Sequence, residues 1–80
     1  MGTEIPQAFG RVLRESRLKA ALSQEALALE AGIDRTFVSL MERGKRQPTL
    51  ETLFRLATVL RVSPATLVSR TFAGLGPPQM

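Results

Sequence analysis

The sequence predicts an all-α domain, a compact bundle of five short helices. Leu and Ala dominate its apolar residues, and the β-branched ones never alternate with polar neighbours as a half-buried strand requires. Apolar positions instead recur at three- and four-residue spacing, and capping residues, glycines and prolines cut the chain into short segments. Eighty residues, 44% of them hydrophobic, suffice for one core near the lower end of what folds without staples. Cys and His are both absent, so neither a disulfide nor a zinc site can help. Apolar packing must hold the fold.

The first helix is expected from about Pro6 to Lys19, with Ile5, Phe9, Val12, Leu13 and Ser16 on one side. Ser23 is a good N-cap for the second, which has Gln24 and Glu25 in its first turn and stops at Gly32. Asp34 caps the third, holding its start rigid, and that helix ends at Gly44. Thr49 caps the fourth, whose inward positions read as Leu50, Leu53, Phe54, Ala57 and Leu60. Ser63 before Pro64 joins an N-cap to a proline at the first helical position, starting a fifth helix toward Arg70. Beyond Phe72, "AGLGPPQM" cannot continue a helix, so the expected division is a domain over 1–72 and a flexible tail over 73–80. Helices this short do not persist alone in water, and each must bury its stripe against the others.

Eleven Lys and Arg against seven Asp and Glu leave a net charge of +4. That balance suits a polyanion such as nucleic acid, or an anionic membrane surface, although many small soluble domains are mildly basic. No stretch approaches the ~18 apolar residues of a membrane span. "MGTEIP" lacks the basic start and apolar run of a secretory signal, and Pro6 breaks the myristoylation pattern. A cytoplasmic protein is expected. No carboxylate pair stands beside a nucleophile and base, so no catalytic residue is assigned, and no metal, cofactor or small-molecule ligand is expected.

The stretch "AGIDRTFVSLMERGKRQPTL" carries the functional signal. At roughly 100° per residue, Phe37, Val38 and Met41 fall on one buried arc of the third helix. Arg35, Thr36, Ser39 and Arg43 occupy the opposite arc, which presents guanidinium and hydroxyl donors on a stem packed from behind. Arg43, Lys45 and Arg46 cluster around Gly44 in an exposed loop. Upstream, "SQEALALEAGI" places Ala28 where a following helix must approach closely and Gly32 where a tight turn needs positive φ. Two short helices joined in this way form a helix-turn-helix pattern.

"LSQEALALEAGIDRTFVSLMERGKRQPTLETLFRLATVL" closely resembles the XRE-type helix-turn-helix domain of phage repressors and small bacterial regulators, over roughly Phe9 to Val68. The resemblance implies a phage repressor-like five-helix fold whose third helix is the recognition helix. It implies a homodimer bound to a palindromic operator in double-stranded DNA, in the bacterial nucleoid. Arg35 and Thr36 then match the positions that read base edges, and an arginine fork suits guanine because it can donate to both O6 and N7. Ser39 is short enough for a phosphate or a base edge. Leu40 departs from the polar residue that relatives often carry there, and either meets a thymine methyl or covers Phe37. Gln24 matches a glutamine that grips a phosphate at a helix N-terminus, with Ser23 assisting; Arg43, Lys45 and Arg46 would track the backbone.

Arg17 and Glu42 match a pair that many relatives form internally, so both are assigned to the fold. Ala21 replaces a common glycine; if that site needs positive φ, alanine costs on the order of 1 kcal/mol, and if not, the turn takes another form. Relatives often dimerise through C-terminal helices, which makes Val59, Val68 and Phe72 the interface candidates. Leu18, Leu29 and Leu75 are further outward apolar residues. Three regulatory jobs fit the resemblance: a repressor, a controller of a restriction–modification operon, or the antitoxin of a toxin–antitoxin pair. A protein-interaction module that has lost DNA binding is the rival from another class.

Overall fold

A computed structural model describes residues 4–76, which form α1 (Glu4–Lys19), α2 (Gln24–Ala31), α3 (Arg35–Glu42), α4 (Leu50–Leu60) and α5 (Pro64–Ala73). There is no β-strand among the described residues. Helix α1 begins two residues before the expected Pro6, because a proline in the first turn lacks only an N–H that would have had no partner. Helix α5 runs past Arg70 to Ala73, and the Gly74 carbonyl then accepts a 3.4 Å contact from Arg11 Nη2. Residues 77–80, the end of the expected tail, lie outside the described residues.

Side chains start three of the helices. Ser23 Oγ accepts from the Ala26 amide at 3.0 Å, Thr49 Oγ1 from Thr52 at 3.1 Å and Ser63 Oγ from Ala65 at 3.0 Å. Asp34 stands at the N-cap of α3, but its carboxylate makes no capping bond. The order expected from that side chain comes instead from its backbone carbonyl, which accepts from Phe37 and Val38 at 3.0 and 3.3 Å.

Four helices end in one kind of turn. After each of α1 to α4 a left-handed residue donates to the carbonyl three back, and its successor to the carbonyl five back, which is a Schellman motif. The bonds are Ala21→Leu18 with Leu22→Arg17, Gly32→Leu29 with Ile33→Ala28, Gly44→Met41 with Lys45→Leu40, and Arg61→Thr58 with Val62→Ala57. Glycine takes that place twice. Ala21 (φ 59°) and Arg61 (φ 60°) take it at a steric cost.

The major packing pairs run α1–α3, α3–α2, α2–α4, α4–α5 and α5–α1, a closed circuit around one core. Every helix contributes to its centre: Leu13, Leu27, Val38 with Met41, Leu56 and Leu67 are fully buried. Three expectations fail here. Ile5, Leu50 and Phe54 are 43%, 71% and 53% exposed, whereas Leu56, not placed inward by the sequence reading, has no exposure. Helix α4 reads LETLFRLATVL, whose apolar residues cover well over half of its circumference, so its own pattern offers more than one inward arc. Packing on α2 and α5 selects the arc of Leu53, Leu56, Ala57 and Leu60.

One polar network is built into this packing. Arg17 on α1 grips Glu42 on α3 through Nε–Oε2 at 2.6 Å and Nη2–Oε1 at 3.0 Å, and its Nη1 donates to the Leu22 carbonyl at 2.9 Å. Gln24 Nε2 on α2 donates to Glu42 Oε1 at 3.1 Å. The two charged side chains are only 9% and 3% exposed. Hydrogen bonding to Glu42 raises the already high pKa of Arg17 against the opposing effect of burial, so the cation persists at any ordinary pH.

Arg17→Ala should therefore destabilise the protein by roughly 3–5 kcal/mol, since it leaves Glu42 buried and unpaired. The exposed Arg55–Glu51 pair should be worth no more than about 1 kcal/mol. Urea unfolding of Arg17→Ala beside Arg55→Ala checks this; equal small losses would show that the Arg17 pair does not hold the helices. At the left-handed caps, relief of roughly 1–2 kcal/mol of strain exceeds glycine's entropic penalty of roughly 0.5–1 kcal/mol. Ala21→Gly and Arg61→Gly should each raise the melting temperature, and a fall at either position would refute strain there.

Candidate nucleic-acid interface

Helix α3 turns its two arcs in opposite directions. Val38 and Met41 are fully buried, and Phe37 is half-buried against the same core. Arg35 and Thr36, in the first turn, are exposed, while Ser39 and Leu40 are half-buried. Arg43 follows on the same outward arc, with Nε 3.4 Å from the Ser39 carbonyl, too long and weak a contact to fix its guanidinium. Lys45 and Arg46 are exposed in the non-helical connection beyond Gly44.

Electrostatics sharpen this arc. Among the described residues the ion pairs are Arg17–Glu42 and Arg55–Glu51. Arg35, Arg43, Lys45 and Arg46 thus have no carboxylate partner there, as is also true of Arg11, Arg14, Lys19, Arg61 and Arg70; what sets the four apart is that they gather on one arc and the loop after it. Helix α3 has no acidic residue in its first turn, and Arg35 there opposes the macrodipole by roughly 0.3–1 kcal/mol. The arrangement is mildly unfavourable for the isolated protein and suited to an anionic surface.

Ser23 and Gln24 are partly engaged already. Ser23 Oγ serves the cap of α2 and keeps its hydroxyl hydrogen free to donate. Gln24 spends one amide hydrogen on Glu42 and keeps the other, together with its carbonyl. Glu42 thus orients a side chain at the start of α2 while it anchors the end of α3. The structure brings together Gln24, Arg17 and Glu42, which the sequence reading had divided between a phosphate contact and a structural pair.

A second surface lies between α1, α4, α5 and the connection at Gln47 and Pro48. Val68 and Phe72, 55% and 74% exposed, line an open hollow of ≈ 270 Å³ with Ile5, Phe9, Leu53 and Leu75. Leu50 and Phe54, three residues before and one after Leu53 on α4, are exposed as well. Val59 does not join this surface. That residue is half-buried against the core on the arc of α4 turned to α2, where it lines a separate depression with Leu29, Gly32 and Arg55. The sequence reading missed Ile5, Leu50 and Phe54 as surface residues because it had placed all three inward.

Comparison with known proteins agrees with this geometry. The helix-turn-helix family model matches residues 13–67. Control protein C.BamHI of Bacillus amyloliquefaciens is 37% identical over 75 residues, spanning 92% of this chain and 93% of the relative. The crystal structure of the restriction-modification controller protein C.AhdI from Aeromonas hydrophila superposes with a TM-score of 0.75 at 44% identity, covering 78% of this chain and 94% of that one. The C.Esp1396I tetramer, solved in complex with its natural 35 base-pair operator, gives a TM-score of 0.77 at 27% identity over 89% of this chain and 93% of its own. Fold, site geometry and sequence converge: the chain belongs to the XRE-type helix-turn-helix family.

Proposed function

We propose that this protein is a sequence-specific DNA-binding transcription regulator, acting as a homodimer whose α3 helices enter successive major grooves of a palindromic operator. The carrying observation is the outward arc of Arg35, Thr36 and Ser39 on a helix whose opposite arc is sealed into the core. Arg35 supplies a fork for guanine O6 and N7; Thr36, Ser39 and Leu40 complete the base-reading surface. Ser23 and Gln24 on one side, and Arg43, Lys45 and Arg46 on the other, take phosphates and fix register. No step of this work is chemical: occupancy of the operator changes access to a promoter, in the cytoplasm at the nucleoid.

Within regulation, the controller of a restriction–modification operon is the reading that the comparisons favour. C.BamHI aligns with this chain over nearly all of both lengths. The genes beside the coding sequence decide between a controller and a free-standing repressor.

For the homodimer, Val68 and Phe72, joined by Leu50, Phe54 and Ile5, form the two-fold contact. Recognition helices so paired should sit about 34 Å apart, one turn of DNA.

Arg35→Ala should weaken binding to a selected operator by roughly 1–3 kcal/mol and leave mixed-sequence DNA nearly unaffected. Fluorescence titrations at several salt concentrations should also show affinity falling steeply as salt rises. Equal losses on both DNAs would remove Arg35 from the base readers, and a flat salt response would contradict the phosphate contacts. Phe72→Glu should shift sedimentation from dimer to monomer and lower operator affinity with it. A dimer that survives this charge places the two-fold contact elsewhere.

A further inference from the structure

Where α1 crosses the end of α3, two glycines remove the side chains that normally separate packed helices. A Cβ on Gly10 of α1 would lie 2.6 Å from the Met41 carbonyl oxygen and 2.7 Å from that of Glu42. One on Gly44, just past α3, would lie 3.1 Å from Gln7 Cα. Gln7 and Gly10 stand three residues apart on α1, so both close approaches fall on one face of that helix. A glycine inside a helix lowers helix stability, and a close backbone approach is the usual reason for one. At Gly10 the neighbours are backbone atoms, which no rotamer change can move aside.

We propose that Gly10 is a positioning residue for DNA readout: its bare backbone seats the C-terminal end of α3 on α1 and thereby sets how the recognition helix is aimed. This rests on the DNA-reading role of α3 proposed above. The start of α3 follows the left-handed turn at Gly32, and its end is held to α1 by Arg17 and Glu42, so a push at Met41 and Glu42 must shift that end against the network and tilt the helix about the turn. Any side chain at position 10 must open the joint by at least 0.4 Å, from 2.6 Å to the 3.0 Å below which real Cβ contacts essentially never fall. Ser39, Leu40 and the cations at 43, 45 and 46 lie toward the moving end, and Arg35 lies near the pivot. Discrimination between DNA sequences should suffer before general DNA affinity, because the base readers Ser39 and Leu40 move with the joint, and the flexible cations that take phosphates tolerate displacement better than a close fit at base edges.

The test compares Gly10→Ala with the unaltered chain on two duplexes: one selected from random DNA by the unaltered protein, and one of mixed sequence. Binding is titrated well below the melting temperature, with circular dichroism confirming the fold. The same change is also placed in the Arg61→Gly background, whose substitution lies in the turn after α4. The expected result is a drop of about five- to tenfold in the ratio of selected to mixed-sequence affinity, comparable to a single mismatched base pair, with mixed-sequence affinity within twofold. An unchanged ratio in a folded variant overturns the proposal, as does an equal loss on both duplexes. Failure to fold in both backgrounds makes Gly10 a folding requirement alone and also overturns it. If the unaltered chain itself shows no preference, the DNA-reading role falls first and this one with it.

Discussion

Glu42 is where three helices are fastened together. It ends α3, accepts both arms of Arg17 from α1, and takes the Gln24 amide from the start of α2. A surface ion pair in this position would contribute little and would let the helices slide. Burial changes the balance, because separating the pair would leave a charge with neither water nor partner. The recognition helix spans only eight residues and cannot persist in isolation. Its order is borrowed from this network, from the Val38 and Met41 anchors, and from the backbone contacts at Gly10 and Gly44. The contacts that fold this helix into the domain are thus the same ones that hold its direction.

The same economy appears in the charges. Eleven cations give the chain its basic character, yet they are not equivalent. Arg17 and Arg55 are engaged by Glu42 and Glu51. Arg35, Arg43, Lys45 and Arg46 stay unpaired on the arc of α3 and the loop that follows. Among the described residues, five more cations are unpaired but spread over α1, the end of α4 and α5, so what matters for a polyanion is where unneutralised cations gather.

Much of this was readable in the sequence, because the relevant signals are local. Ser23, Thr49 and Ser63 cap helices through bonds that span two or three residues, and the left-handed turns after α2 and α3 coincide with glycines. The outward arc of α3 follows from periodicity, since Phe37, Val38 and Met41 fall opposite Arg35, Thr36, Ser39 and Arg43; Leu40 on the outer side and buried Glu42 are the exceptions. Three features were not readable, each for a physical reason. Asp34 has the right side chain for a cap, but its carboxylate makes no capping bond, and its backbone carbonyl alone accepts from Phe37 and Val38. In α4, apolar residues cover well over half of the circumference, so only the neighbours decide that Leu56 turns in while Leu50 and Phe54 turn out. Gln24 looked like a free phosphate ligand because nothing local places Glu42 beside it, eighteen residues further along the chain.

The left-handed caps show how that division between local and tertiary control is enforced. Ala21 and Arg61 sit where glycine would be easier, and yet the chain still turns at both. A local preference of about 1–2 kcal/mol against the left-handed region is outweighed there. After α1, the turn brings the Leu22 carbonyl to Arg17 Nη1 and leads into the Ser23 cap of α2. After α4, it returns Val62 to the core and leads into the Ser63 cap of α5. A glycine on the page thus identifies a permitted turn, whereas alanine or arginine in the same conformation identifies one imposed by packing. The two turns that bracket α3 are of the permitted kind, and the two imposed ones lie away from it, so residual strain is kept off the helix whose direction matters most.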